Sequence, residues 1–323
     1  MIKTKQQMLK EAIKRFGLTK PLEVIEGGYQ NDIFFSEKSG KKIILRITDS
    51  NIRSLKQVEG EIEWIEYLVK HNIPLAKPLV SKAGNKIEVF KINNHNYFAV
   101  LFEYAKGKKL TYPEYLGNVL LYEQLGEVTA KLHKASKNYN PKRIKRHSYY
   151  ENYYLNNINT FIPKEKIKIH KAAKELINNL KELEKNETNY GLIHGDINVG
   201  NFHYDKNQIT LFDFDECQYS WYIEDIAIQL YYTIFVFGEQ DKVERDQQAK
   251  LFMEHFLKGY NKILTIDKKW LDLMSLFLKI RELIVYVGIY KKWDFNNLNT
   301  WQEDFLRDST YRIENNISIY SLA

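Results

Sequence analysis

The chain has 323 residues, of which 44% are hydrophobic and 28% charged, a composition ordinary for a globular protein with a substantial core. The net charge of +7 does not indicate a nucleic-acid partner, because basic and acidic residues alternate along most of the chain. A single cysteine excludes an intramolecular disulfide, and neither a signal peptide nor an apolar run long enough to cross a bilayer is apparent, so we expect a cytoplasmic protein without a membrane or nucleic-acid partner.

The first hundred residues predict a helix followed by a β-rich region. Apolar residues recur at helical spacing over residues 4–16. After Pro21, short apolar runs separated by turn residues predict about five strands, with one internal helix in LKQVEGEIEWIEYLVKH (55–71). The segment IPLAKPLV (73–80) contains two prolines and predicts a loop.

Beyond Leu110 the pattern turns helical. Apolar residues at helical spacing predict six helices, in residues 121–136, 164–183, 222–238, 243–262, 268–291 and 297–316. Only residues 190–216 contain short strand-like runs. We therefore expect an α+β fold of two lobes, a small β-rich N-terminal lobe (1–103) and a large, mainly helical C-terminal lobe (104–323), with a hinge at 104–107. The cleft between the lobes is the expected active site.

The strongest chemical signal is GLIHGDINVGNFHYDKNQITLFDFDE (191–216). Asn201 follows Asp196 by five positions, and Asp213 lies twelve beyond Asn201, after a predicted β-hairpin. Phosphoryl transfer needs a carboxylate near the attacking hydroxyl and oxygen ligands that hold Mg²⁺ against the phosphates. The spacing therefore predicts Asp196 as the catalytic base and Asn201 and Asp213 as metal ligands.

These residues resemble the aminoglycoside phosphotransferase and choline kinase superfamily, whose fold is that of the protein kinases. HGDxxxxN matches the kinase HRDxxxxN loop, and Asp213 matches the aspartate of the kinase DFG motif. TAKLHKAS is similar to the family's helix that ends in Leu-His, and WYIEDIA is similar to the segment with a structural aspartate, here Asp225. His194 is expected to support the backbone of the catalytic loop.

The resemblance implies that the N-terminal lobe contains the nucleotide-binding site. Gly27, Gly28 and Asn31 lie in the turn between the first two strands, where backbone N–H groups can approach phosphates, although an ordinary β-turn is an equal alternative. The hinge resembles the family's purine-binding linker, so backbone groups from Glu103 to Ala105 are expected to bind the base.

The third strand departs from the family pattern. Where the family has a phosphate-binding lysine this sequence has Arg46, whose planar head does not reproduce the point contact of an ammonium group. The helical carboxylate expected to pair with it is Glu61, with Glu59 and Glu63 as alternatives.

The sequence thus predicts a phosphotransferase that uses ATP or GTP with Mg²⁺ and acts on a hydroxyl group of a small metabolite or antibiotic. A bacterial Ser/Thr protein kinase and a catalytically silent kinase-like scaffold are the alternatives. The basic cluster at 141–147 (PKRIKRH) predicts a solvated loop, or else a contact with an anionic substrate. The aromatic residues Tyr286, Tyr290, Trp293 and Trp301 are expected to belong to the core.

Overall fold

The computed structural model describes residues 2–25, 31–142, 145–205 and 208–321, with side chains from residue 6 onward. Ten strands are present in this part of the chain: β1 Glu23–Ile25, β2 Asp32–Lys38, β3 Lys41–Asp49, β4 Pro78–Leu79, β5 Ile87–Ile92, β6 His95–Glu103, β7 Tyr190–Ile193, β8 Phe202–Asp205, β9 Gln208–Leu211 and β10 Gln218–Trp221. The α-helices described are α1 Ile2–Phe16, α2 Leu55–Lys70, α3 Val119–Lys137, α4 Tyr153–Asn156, α5 Ile158–Phe161, α6 Ile167–Lys181, α7 Tyr222–Ile234, α8 Lys242–Tyr260, α9 Lys268–Leu271, α10 Met274–Lys292 and α11 Thr300–Glu314. In these residues no helix is both long and apolar enough to span a lipid bilayer.

The chain forms two compact units. The first comprises Met1–Lys108, Tyr139–Arg146 and Thr210–Asp215, and the second comprises Lys109–Asn138, His147–Ile209 and Glu216–Ala323. The predicted metal ligand Asp213 therefore belongs to the first unit, whereas Asp196 and Asn201 belong to the second.

The first unit is built on an antiparallel sheet. Its order is β1-β2-β3-β6-β4, with β5 also paired to β6. Helix α1 buries Ala12 and Phe16 against Phe34, Leu45 and Leu101 of this sheet. Phe34 of β2 and Ile43, Leu45 and Ile47 of β3 lie in this core, and the three residues of β3 are spaced two apart, so they share one face of the strand. Helix α2 begins at a capping box in which Ser54 and Gln57 satisfy each other's backbone N–H groups.

The second unit is mainly helical, so the predicted α+β fold is confirmed. The single-turn helices α4 and α5 were not predicted, and two further details of the prediction differ here. The helix predicted at 268–291 is interrupted at Asp272 and Leu273, which separate α9 from α10. Strand β10 was not predicted, because its buried residues Gln218 and Ser220 are polar and give no apolar alternation.

One detail of the first unit also differs from its prediction. The proline-containing segment at 73–80, expected to be a loop, includes β4, whose Pro78 and Leu79 pair with Phe102 and Leu101 of β6. Proline is tolerated there because β4 is an edge strand, where the missing N–H leaves no partner of the ladder unsatisfied.

Candidate active site

The loop after β7 turns sharply at Gly195. This glycine has φ +79, and a Cβ atom built on it would lie 2.4 Å from the carbonyl oxygen of Glu216. Both the left-handed backbone and the close approach exclude a larger residue. The glycine of HGD is thus required by the geometry that presents Asp196.

The buried carboxylate of Asp225 binds the backbone of the same loop. Asp225 of α7 accepts hydrogen bonds from the N–H groups of His194 (3.0 Å) and Gly195 (2.8 Å). Its Oδ2 also lies 3.2 Å from His133 Nε2, and His133 Nδ1 lies 2.9 Å from the hydroxyl of Tyr260. Burial alone would raise the pKa of Asp225, but the hydrogen bond and charge of His133 outweigh it and the pKa is lowered. Asp225 is therefore an anion that fixes the loop backbone.

Side-chain amides and a guanidinium surround the carboxylate of Asp196. Its Oδ2 accepts from Nδ2 of Asn201 (2.7 Å) and of Asn198 (3.1 Å), and its Oδ1 forms an ion pair with Arg281 of α10. Burial raises the pKa of Asp196 to about 6, against the lowering effect of Arg281 and with a further raising effect of Glu216. His194 Nδ1 accepts a hydrogen bond from the Asp196 N–H at 3.3 Å.

The amide of Asn201 is oriented by its contacts. Nδ2 donates to both the carbonyl oxygen (2.8 Å) and Oδ2 of Asp196. Because those two partners are acceptors, the nitrogen must face them and Oδ1 must face away. Within the described residues Oδ1 has no hydrogen-bond partner. This oxygen is a suitable donor for a hard cation.

Asp213 and Arg46 lie near each other in the first unit. Asp213 has φ +60, in the left-handed region, and 44% of its side chain is exposed. Its Oδ1 is 3.8 Å from Arg46 Nη1. Arg46 in turn binds Glu61 through two hydrogen bonds of 2.7 and 2.6 Å, so the predicted pairing of these two residues is confirmed.

The structure describes three of the other residues predicted to bind the nucleotide, Asn31, Glu103 and Ala105. Asn31 Oδ1 accepts from the hydroxyl of the buried Thr48 at 2.7 Å. The N–H of Glu103 donates to the Lys77 carbonyl at 2.9 Å, so this N–H is not available to a purine, and Ala105 is buried. Gly27 and Gly28 lie outside the described residues.

The prediction for the basic cluster at 141–147 is wrong for Arg146. This side chain is 3% exposed and donates to the carbonyl oxygens of Gln57 and Asp215, each at 2.6 Å. Asp215 also pairs with the buried Arg53 at 3.2 Å. The run of basic residues could not predict these contacts, because Gln57 and Asp215 lie 69 or more residues away from Arg146 in the sequence.

Sequence reasoning also missed Arg281. The signal was present: Arg281 and Glu282 are adjacent charges in the otherwise apolar stretch of α10, and both are buried. Charged residues are rarely buried unless they are paired, so a partner for each was to be expected. Glu282 pairs with Arg312, and Arg281 pairs with Asp196.

A kinase-like fold with an HGDxxxxN loop defines a class of phosphotransferases, and comparison with known proteins agrees. Residues 21–260 match the model of the phosphotransferase enzyme family APH, and the chain belongs to this family.

Two relatives resemble the chain over nearly its whole length. It is 32% identical to the amicoumacin kinase of Bacillus subtilis (strain 168), over 97% of this chain and 93% of that protein. A solved structure of amicoumacin kinase hAmiN in complex with AMP-PNP, Ca²⁺ and Ami is 31% identical, with a TM-score of 0.90 over 98% of this chain and 95% of that one. A microcompartment-associated aminopropanol kinase is 17% identical with a TM-score of 0.76, covers 96% of this chain and 97% of its own, and shows the likeness of fold alone.

These findings confirm the predicted reaction class. The chain is a phosphotransferase that acts on a hydroxyl group of a small molecule.

Proposed function

We propose that this protein transfers the γ-phosphoryl group of ATP, with Mg²⁺, to a hydroxyl group of an amicoumacin-type antibiotic. The observation that carries the proposal is the full-length likeness to two amicoumacin kinases, one of them solved with AMP-PNP. The arrangement of Asp196 supports it, because this carboxylate is held by a fixed loop on one side and by amides on the other.

Asp196 is the base in this proposal. The acceptor hydroxyl donates a hydrogen bond to its carboxylate, and the hydroxyl oxygen attacks the γ-phosphorus. As the new P–O bond forms, the bond to the leaving ADP breaks and the proton passes to Asp196. Asn198 and Asn201 keep the carboxylate from rotating during this step, since both donate to the same oxygen.

The metal ligands are Asn201 and Asp213. The free amide oxygen of Asn201 and the exposed carboxylate of Asp213 are hard oxygen donors of the kind Mg²⁺ prefers. When bound, Mg²⁺ supplies neutralising charge for the phosphate oxygens. Magnesium usually keeps several waters and phosphate oxygens as ligands, so two protein ligands suffice.

Arg46 provides the cation of the nucleotide-binding site. Its two bonds to Glu61 fix the guanidinium, and the attraction of Glu61 outweighs burial so that the pKa of Arg46 is raised above its usual range. An oriented, permanently charged guanidinium can bind phosphate oxygens in place of the lysine. The family resemblance adds to this proposed site the backbone of Gly27, Gly28 and Asn31 and that of the linker Glu103–Ala105, apart from the N–H of Glu103, which Lys77 occupies.

Two features of the second unit favour an antibiotic with a large apolar part over a small polycation. Phe235, Trp293 and Trp301, which are half-buried or exposed, form an aromatic surface that packs on the buried Phe305. Trp301 stacks on Phe305 at 5.4 Å and lies 6.1 Å from Phe235, and Phe235 contacts Tyr232 at 5.4 Å. Trp301 is 45% exposed, so its predicted core position is wrong, whereas Tyr286 is buried as predicted. Exposed aromatic groups of this kind bind planar or apolar ligands.

The second feature is that two carboxylates of the helical region, Glu224 and Glu282, are not available to a ligand. A polycationic acceptor needs several carboxylates at its site. Glu224 and Glu282 are both buried, and they are occupied by Ser220 and Gln218 and by Arg312 respectively.

The test compares the wild type with Asp196→Asn. The wild type with ATP and Mg²⁺ is expected to add one phosphoryl group to amicoumacin, detected by mass spectrometry. Asp196→Asn should lower kcat by about 10²–10⁴-fold, the usual contribution of a positioned base.

Asp205→Asn, at the exposed end of β8, is the matched control and should retain wild-type kcat. A wild type that consumes ATP with other alcohols but leaves amicoumacin unchanged would refute the proposed acceptor. Equal kcat in wild type and Asp196→Asn would refute the proposed base.

A further inference from the structure

Arg281 lies beside the proposed base with part of its guanidinium unused. The residue is 8% exposed, and its Nη2 donates to Asp196 Oδ1 and to the hydroxyl of Tyr232 (2.7 Å). The guanidinium carbon lies 4.8 Å from the centre of the Tyr232 ring. Nε is enclosed and has no hydrogen-bond partner in the part of the chain that the structure describes. Nη1 has no partner among the described residues and is not enclosed, so its two N–H groups can reach a ligand.

The contacts of Asp196 determine where the reacting hydroxyl can bind. Each carboxylate oxygen accepts about two hydrogen bonds. Oδ2 already accepts from Asn198 and Asn201, whereas among the residues that the structure describes Oδ1 accepts from Arg281 alone. The remaining acceptor position is on Oδ1, the oxygen next to Arg281. A hydroxyl bound there therefore lies beside the guanidinium.

We propose that Arg281 is an acceptor-binding residue whose Nη1 donates to a second oxygen of the acceptor, on the carbon next to the reacting hydroxyl. The inference rests on the proposed role of Asp196. It names a substrate class: alcohols with an adjacent carbonyl, carboxylate or hydroxyl oxygen. Asp196 and Tyr232 hold the guanidinium of Arg281, so the two N–H groups of Nη1 are oriented before the acceptor binds. This limits the entropic cost of binding.

The same geometry rejects acceptors with an ammonium group next to the hydroxyl. That group would meet the guanidinium at close range, and like charges in an interface are unfavourable. The pKa of Arg281 lies above its usual range, since Tyr232, Asp196 and Glu216 outweigh the effect of burial, so the guanidinium keeps its charge. Arg281 would thus separate hydroxy amides and hydroxy acids from amino alcohols.

The first experiment measures KM and kcat with amicoumacin and ATP. Arg281→Met is expected to raise the KM for the acceptor about 10-fold, the usual effect of losing one charged hydrogen bond, and to raise it far more than the KM for ATP. Arg281→Lys should recover part of the loss, because an ammonium group can still donate to the second oxygen. Lys279→Met, a partly buried cation on the same helix, is the matched control and should keep both KM values.

The second experiment does not depend on the antibiotic. It compares ATP consumption with two alcohols of equal size, glycolamide and ethanolamine, in the wild type and in Arg281→Met. We expect the wild type to prefer glycolamide at least about 10-fold and the preference to disappear in the variant.

The outcomes separate the two proposals. If amicoumacin is not phosphorylated but glycolamide is preferred through Arg281, the proposed acceptor is wrong and the role of Arg281 is supported. An equal response to glycolamide and ethanolamine in the wild type, including no response to either, overturns the role of Arg281. So does a preference that survives in Arg281→Met. Circular dichroism of each variant identifies any loss that comes from misfolding.

Discussion

Arg46 occupies the position in β3 where the family resemblance places a lysine, and its contacts explain how an arginine can serve there. The side chain is 3% exposed and its partner Glu61 is fully buried. A buried charge pair is costly to desolvate, and it is tolerated only when hydrogen bonds satisfy both groups. The two parallel bonds pair both oxygens of Glu61 with Nη1 and Nη2 of Arg46, whereas Nε is enclosed without a hydrogen-bond partner among the described residues. A lysine would form only a single point contact.

The first prediction concerns this pair. Arg46→Met should lower the free energy of unfolding by about 3–5 kcal/mol, because it leaves the Glu61 carboxylate buried without its partner. Replacing both residues, in Arg46→Met with Glu61→Met, should restore most of that loss, since two apolar side chains of similar volume need no hydrogen bonds. Urea unfolding measures both effects.

The double variant should recover stability against urea but should not recover the wild-type KM for ATP. Both variants lack the cation of the proposed nucleotide-binding site, so both should show a raised KM for ATP. A double variant that is no more stable than the single one would contradict the account of Glu61. A double variant with the wild-type KM for ATP would remove Arg46 from the nucleotide site.

At this scale the sequence predicted contacts that depend on motif spacing. The pair Arg46–Glu61 could be predicted because the family resemblance implies a cation on the third strand that pairs with a carboxylate of the following helix. Arg281 could not be assigned to Asp196, since 85 residues separate them and no local pattern links them. The same holds for Arg53 and Asp215, which are 162 residues apart.

The crossing of α3 and α8 depends on two glycines. A Cβ atom on Gly126 would lie 2.0 Å from the carbonyl oxygen of Phe256, and one on Gly259 would lie 1.9 Å from that of Glu123. Both neighbours are backbone atoms, which cannot move without separating the helices. The two helices therefore approach more closely than any residue with a side chain allows.

The second prediction tests this contact. Gly126→Ala should lower the free energy of unfolding by about 3 kcal/mol or more, the upper range for overpacking, despite the better helix propensity of alanine. Gly288→Ala in α10 is the matched control. Its nearest atom, of Tyr154, lies at 3.6 Å, an ordinary contact, so this change should be neutral or slightly stabilising. Equal unfolding midpoints for the two variants would contradict the close crossing.

Glu224 in the first turn of α7 predicts a pH dependence of stability. Burial raises the pKa of this carboxyl to about 7 from an ordinary value of 4.5; a hydrogen bond from Ser220 opposes this and Asp225 adds to it. The folded state therefore holds a proton that the unfolded state releases between these values. The resulting stability is complete below pH 4.5 and is lost as the pH rises through 7.

The third prediction follows from this sign. Between pH 5 and pH 8 this group should reduce the free energy of unfolding by up to about 3 kcal/mol, and Glu224→Gln should remove that part of the slope. Urea unfolding at several pH values, with the difference taken between wild type and variant, isolates the contribution. Parallel pH profiles for the two proteins would mean that Glu224 is ionised in the folded state.

Elements were predictable to the extent that their residues show a simple period. The helices over 121–136 and 243–262 were found because one face of each is apolar. The single-turn helices α4 and α5 were not found, since four residues are too few to show a helical period. Their positions depend on tertiary packing against α10.

For the molecule as a whole, similarity of sequence over the full length bears on the acceptor, whereas similarity of fold alone does not. Identity to the amicoumacin kinases is 31–32% with nearly complete coverage, whereas the spectinomycin phosphotransferase and a choline kinase share the fold at 14–15% identity. A shared fold does not determine the acceptor, so we expect the residues around Asp196 to select it. Arg281 and the aromatic surface are the features of this chain that we expect to do so.

The last prediction uses the stability of the whole chain as the readout. A ligand that binds only the folded state raises the free energy of unfolding by about 2.7 kcal/mol at 100 times its Kd. With AMP-PNP and Mg²⁺ present, amicoumacin should therefore raise Tm by several degrees, while spectinomycin, choline and aminopropanol at the same concentration should not. A shift with choline but none with amicoumacin would contradict both the proposed acceptor and the rejection of ammonium groups by Arg281. A shift with spectinomycin alone would contradict the proposed acceptor.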